Sequence, residues 1–190
     1  MLTTITAIAL SITSLSVTAQ TTAPAGFKKG SLVLADKSVV NGFIREKIKS
    51  NASVILADET GDKKKLYYGS DLSSLTIEDT KYICLKGDFF KVLAEGDLFL
   101  LQKASDASGQ LSYNGTEPVM NNGTDGAPGD YFFYDNRNNE LKRLSKKSAD
   151  AVITSAFADC VAALDKAKMV HSDFGQLKDA VELYNNRNKK

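Results

Sequence analysis

An α+β fold is predicted here: an antiparallel β-rich barrel or sheet of about eight or more short strands, followed by two C-terminal helices. Three observations carry this. From Ser31 onward apolar residues alternate with polar ones in short runs, and clusters of Asp, Asn, Gly and Ser punctuate those runs every eight to twelve residues. Beyond Lys146 the apolar period lengthens from two to about three and a half. At 190 residues the chain is long enough to bury a real core.

The first charged residue is Lys28. Ahead of it, Ile5 to Val17 is an apolar stretch of small residues, and Val17-Thr18-Ala19 offers the small side chains that a signal peptidase accepts. Residues 1–19 are read as a signal peptide, residues 20–30 as a linker, and the mature chain as periplasmic or secreted. No positive n-region precedes the apolar run, which departs from the usual pattern. The run is too short and too rich in Thr and Ser for a membrane span, and the first cysteine is Cys84, so no lipid anchor is expected.

In SLVLADKSVVNGFI, Leu32 and Leu34 share one face and Asp36-Lys37-Ser38 supplies a reversal, giving strand, turn, strand. Gly42, inside an apolar run, predicts a bulge or a strong bend. SVILA, KLYYG, SSLTIE, Tyr82 to Leu85 and Phe89 to Leu93 continue the series. Leu98 to Leu101 closes a hairpin whose tip is Ala94-Glu95-Gly96-Asp97, with Gly96 expected at a positive backbone angle. Residues 104–130 are rich in Gly, Ser, Asn and Asp and read as a long irregular loop; YFFYD and ELKRL form a further hairpin that completes a domain spanning 31–145. In the helical segment 146–190, packed on the sheet, Val152, Ile153, Ala156, Phe157, Cys160, Val161 and Leu164 form one helical stripe. A second stripe, Phe174, Leu177, Val181 and Tyr184, follows a cap at Ser172 or Asp173.

The segments GSLVLADKSVVNGFI, FFKVLAEGDLFLLQK, YFFYDNRNNELKRL, FADC and LKDAVELYN, in that order, resemble a group of exported, uncharacterised proteins common in Bacteroidetes. The resemblance covers most of the mature chain and implies a β-rich front with a helical tail. It implies no activity.

The chemistry-bearing residues are sparse. Lys and Arg number 24 against 23 Asp and Glu, so a net charge of +1 gives no field for nucleic acid. Lys63-Lys64-Lys65 beside Tyr67 and Tyr68 imitates a nucleic-acid surface, but Asp58, Glu59, Asp62 and Asp71 cancel it. Glu95 and Asp97 flank a turn glycine and read as a solvated tip, not as the convergent carboxylates that a glycosidase or metal site needs. Cys84 and Cys160 lie among apolar neighbours and are expected as buried thiols, a disulfide being the alternative. A Cys160 and His171 pair is separated by helix and junction, and Asn121, Asp125 and Asp130 lack the spacing of an EF-hand. No catalytic, cofactor-binding or metal residue is assigned. The expectation is a non-enzymatic binding or envelope-structural module without a cofactor, with a hydrolase assembled only in the fold as the alternative. Its partner is an unknown envelope protein or glycan, met by a contact loop containing Tyr113, Asn114, Asn121, Asn122 and Asp125.

Overall fold

The computed structural model describes residues 23–58, 60–114, 117–170 and 173–187. The signal-peptide reading of residues 1–19 and the role weighed for His171 lie outside the described residues. The chain is α+β, with a ten-stranded antiparallel sheet that does not close, followed by helices.

Strands β1 (Lys28–Leu34) and β2 (Val39–Lys47) form the first hairpin. β1 thus begins inside the stretch read as a linker. The turn follows from its residues: Asp36 Oδ1 accepts hydrogen bonds from the Ser38 N–H at 2.9 Å and the Ser38 hydroxyl at 2.6 Å, while Lys37 takes φ 72°. Gly42 makes no bulge, since the β1–β2 register runs unbroken through Gly30↔Gly42. Its glycine serves the next strand: a Cβ there would stand 2.3 Å from the Ala57 carbonyl oxygen.

One helical turn, α1 (Ile48–Asn51), leads to β3 (Ser53–Ala57) and β4 (Lys64–Tyr68). A 3₁₀ turn at Gly69–Asp71 carries the chain to β5 (Leu72–Ile77), which returns to pair with β1. β6 (Thr80–Leu85), β7 (Asp88–Ala94) and β8 (Leu98–Lys103) extend the sheet, and β11 (Tyr131–Asp135) and β12 (Glu140–Leu144) finish it. The spatial order is β12-β11-β8-β7-β6-β5-β1-β2-β3-β4. The β4 end curls toward β7, because a Cβ on Gly69 would lie 2.0 Å from the Gly87 carbonyl oxygen. This curl encloses a first core of Leu32, Ile44, Val54, Leu75, Ile77 and Phe89, each 2% exposed or less.

The same sheet face farther along is covered by helices α2 (Ala149–Ala156), α3 (Val161–Lys168) and α4 (Lys178–Asn186). The single stripe expected from Val152 to Leu164 is therefore two helices. The break at 157–160 turns Phe157 inward, edge-on to Phe133 and Tyr184 at 5.5 Å each, and leaves Ala163 and Ala167 as the buried face of α3. Val161, placed on the stripe by its spacing, is 71% exposed. On the opposite sheet face Phe90, Phe99, Leu101 and Phe132 form a further apolar cluster.

Residues 104–130 are not irregular throughout. They contain a separate two-stranded ribbon, β9 (Leu111–Asn114) and β10 (Glu117–Met120), with Met120 opposite Leu111. Pro118 and the short, weakly alternating strands conceal it from pattern reading.

Candidate functional site

The ribbon is carried by an excursion pinned at its base. β7 begins with Asp88 and β8 ends with Lys103, and both side chains are fully buried with Lys103 Nζ 3.1 Å from Asp88 Oδ2. Burying a charge pair is costly unless hydrogen bonds satisfy the remaining protons and lone pairs. Here they do. Lys103 Nζ also donates to the carbonyl oxygens of Thr124 at 2.6 Å and Gly126 at 2.9 Å. Asp88 Oδ2 accepts from the Thr124 N–H at 2.7 Å and hydroxyl at 2.6 Å. Asp88 Oδ1 accepts from the Ala107 N–H at 2.7 Å and from the Ser105 hydroxyl at 3.3 Å. Ser105 Oγ in turn accepts the Phe89 N–H at 2.9 Å.

This clasp grips both legs of the excursion, Ser105 and Ala107 on the outgoing side and Thr124 and Gly126 on the returning side. Gly123, at φ +63°, permits the closest approach: a Cβ there would lie 2.6 Å from Ser108 Oγ. Chemically the pair is spent, since the acid and the ammonium already hold their partners and no solvent reaches them. It fixes chain.

The contact-loop residues fall around this base. The Asn121 N–H donates to the Gln110 carbonyl at 2.8 Å, and the Asn121 carbonyl accepts from the Gly109 N–H at 2.9 Å, so Asn121 extends the ribbon ladder. Asn122 is exposed and its carbonyl accepts from Ser108 Oγ at 3.4 Å. Asp125 is exposed between the clasped Thr124 and Gly126. Tyr113 and Asn114 lie in β9, opposite Pro118 and Glu117 at the far end of the ribbon. On the rung nearer the base Leu111 and Met120 are 53% and 63% exposed.

The Glu95-Gly96-Asp97 tip is more than a solvated turn. Gly96 is not at a positive φ, contrary to the expectation; its missing side chain makes room for Asn185 of α4, whose Cγ would lie 2.4 Å from a Cβ there. Asn185 behaves as a short piece of strand edge. Its Oδ1 accepts from the Leu98 N–H at 3.0 Å, and its Nδ2 donates to the carbonyls of Leu98 at 2.8 Å and Glu95 at 3.3 Å. The Glu95 carboxylate pairs with Lys81, and Asp97 lies 4.0 Å from both Arg137 and Arg187. The carboxylates point to different partners, and the tip is a docking point for the last helix.

A half-open cleft of about 340 Å³ lies between β12, α2 and α4, with Asp135, Arg137, Glu140, Lys142, Asp159 and Tyr184 on its walls. Each acid there has a cation: Asp135 with Arg137 at 3.6 Å, Glu140 with Lys142 at 3.1 Å, and Asp159 with Arg187 at 3.2 Å. Arg137 donates to the Tyr184 hydroxyl at 3.0 Å, and the Arg187 guanidinium stacks 3.7 Å from the Tyr184 ring centre. Burial works to raise the Asp135 carboxyl, but hydrogen bonds from Asn138 and Arg137 prevail and hold it below the ordinary carboxylate range.

Both cysteines are free thiols. Both are half-buried, and the apolar surroundings of Cys84 push its thiol above its ordinary value. Asp130 is occupied by the Ala127 N–H and by Arg143, each at 2.7 Å. Among the described residues no three of His, Cys, Asp and Glu converge where a metal ion would sit, and no helix is long and apolar enough to cross a membrane. Comparison of the chain with protein-family models, with curated proteins and with solved structures finds no match.

Sequence reading placed the contact residues on the excursion but missed its clasp. The available signal was small: Asp88 opens one apolar run and Lys103 closes another.

Proposed function

We propose that this is an exported, non-catalytic binding module, which holds the β9–β10 ribbon out as a contact surface for an envelope protein or glycan. One observation carries the reading: a fully buried, fully hydrogen-bonded ion pair is invested in anchoring an excursion whose ribbon exposes Leu111 and Met120. A surface loop held this firmly has little left to order when a partner arrives, which favours binding. Export is supported by the apolar leader ahead of Lys28.

The test is co-purification from the envelope fraction using the full chain and a Leu111→Ser/Met120→Ser double variant with an unchanged circular dichroism spectrum. The reading expects a partner retained by the parent and lost by the variant. Equal retention by both overturns it. The mass of the protein recovered from periplasm or medium tests export, with a chain starting at Gln20 expected and a full-length cytoplasmic chain contradicting it.

A further inference from the structure

Hydrogen-bonding direction alternates along the ribbon. The bond from the Asn121 N–H to the Gln110 carbonyl makes that rung an inward one, and in an antiparallel ladder inward rungs alternate with outward ones. The neighbouring Leu111↔Met120 pair and, two rungs beyond it, the Tyr113↔Pro118 pair therefore turn their backbone groups outward. Along β10 that outer edge is interrupted, because Pro118 has no N–H to give. β9 keeps both outward donors, on Leu111 and Tyr113, and among the described residues its only neighbouring strand is β10.

Sheet edges invite a further strand unless something deters it, and lysine is a common deterrent. The edges of the main sheet follow that rule, with Lys64 and Lys65 on β4 and Lys142 and Arg143 on β12. The ribbon does not. No lysine or arginine occurs between Lys103 and Arg137, while Asp106, Glu117, Asp125 and Asp130 all lie on the excursion. Asp130 is neutralised by Arg143 and Asp106 lies 4.0 Å from Lys103, whereas Glu117 and Asp125 are exposed.

We infer that the outer edge of β9 takes an extended, lysine- or arginine-bearing segment of a partner protein as a third strand of the ribbon. This rests on the binding reading above and narrows its partner to a polypeptide. Main-chain bonds to Leu111 and Tyr113 supply the strand register, apolar residues of the incoming segment cover the Leu111 and Met120 rung, and its cations meet Glu117 and Asp125. The clasp keeps the edge straight and in place before the partner arrives.

The test uses the full chain with two synthetic probes, a peptide of alternating Lys and Leu and one of alternating Glu and Leu. Binding is followed by fluorescence anisotropy, and amide exchange of the ribbon is followed by NMR. The lysine peptide should bind, weaken several-fold between about 50 and 300 mM salt, and slow exchange at Leu111 and Tyr113 by about tenfold or more while leaving Met120 unchanged. Glu117→Lys/Asp125→Lys should abolish this. Equal binding of both peptides, protection at Met120 in place of β9, or no protection of either β9 amide overturns the inference. A soluble glycan or a second copy of the chain that protects the ribbon when the lysine peptide does not also overturns it. In that case the Leu111→Ser/Met120→Ser result would still uphold the binding reading, so the two failures are distinguishable.

Discussion

Replacing Lys103 with Met removes the ammonium that compensates Asp88 and keeps a side chain of similar length. The carboxylate would then remain with no exposed surface and no counter-charge, and the carbonyls of Thr124 and Gly126 would lose their donor. Breaking one half of a buried pair costs about 3–5 kcal/mol. For a domain of this size that corresponds to a fall of roughly 6–20 °C in Tm. The assay is urea unfolding of the single variants Lys103→Met and Asp88→Asn and of the double variant, read as a double-mutant cycle. The double variant should be less destabilised than the sum of the singles, because removing both charges leaves no uncompensated ion. Limited proteolysis supplies a local readout, with new cleavage expected within residues 104–130 of the Lys103→Met chain. A loss below about 1 kcal/mol, strict additivity, and an excursion as resistant as the parent's would together refute the reasoning.

Three further outcomes follow from the same contacts. Asn185→Ala deletes the three bonds that dock α4 on the β7–β8 tip and should cost about 2 kcal/mol in chemical unfolding, given a net worth near 1 kcal/mol for a typical bond and less for long ones. Gly42→Ala brings a methyl group against the Ala57 carbonyl, a backbone atom that cannot swing aside, and should lower stability by about 1–3 kcal/mol; an unchanged midpoint would contradict the close approach of β2 and β3. Asp135 has a folded carboxyl held below its unfolded value, so its contribution is complete above the unfolded pKa of about 3.9 and is lost as pH falls through the folded value. Asp135→Asn should therefore flatten the acid limb of a stability-versus-pH curve and leave its neutral-to-alkaline shape unchanged.

The strands of the main sheet were legible because their residues satisfy two demands at once. Leu32 and Leu34 alternate toward the interior, and Asp36 and Ser38 carry the side-chain oxygens that close the turn. The ribbon was not legible, since LSYN and EPVM contain too few apolar residues to show a period and Pro118 argues against a strand. Helical spacing carried through Phe157 to Leu164, and nothing local in Phe-Ala-Asp-Cys records that packing against Phe133 and Tyr184 outweighs a continuous helix. The clasp needs knowledge of register: only when Phe90 is set opposite Lys103 does Asp88, two residues back on the same face, come within reach of the lysine. Neither residue announces this in the sequence, and the same holds for Asn185, a lone amide near the end of α4.

Native-state amide exchange on the free chain measures the anchoring of the excursion directly. The N–H groups of Ala107 and Thr124, both given to Asp88, and of Phe89, given to Ser105, should exchange only through openings close to global unfolding in free energy. Exchange of Ala107 and Thr124 at rates typical of an unrestrained loop would mean that the buried pair does not hold the ribbon.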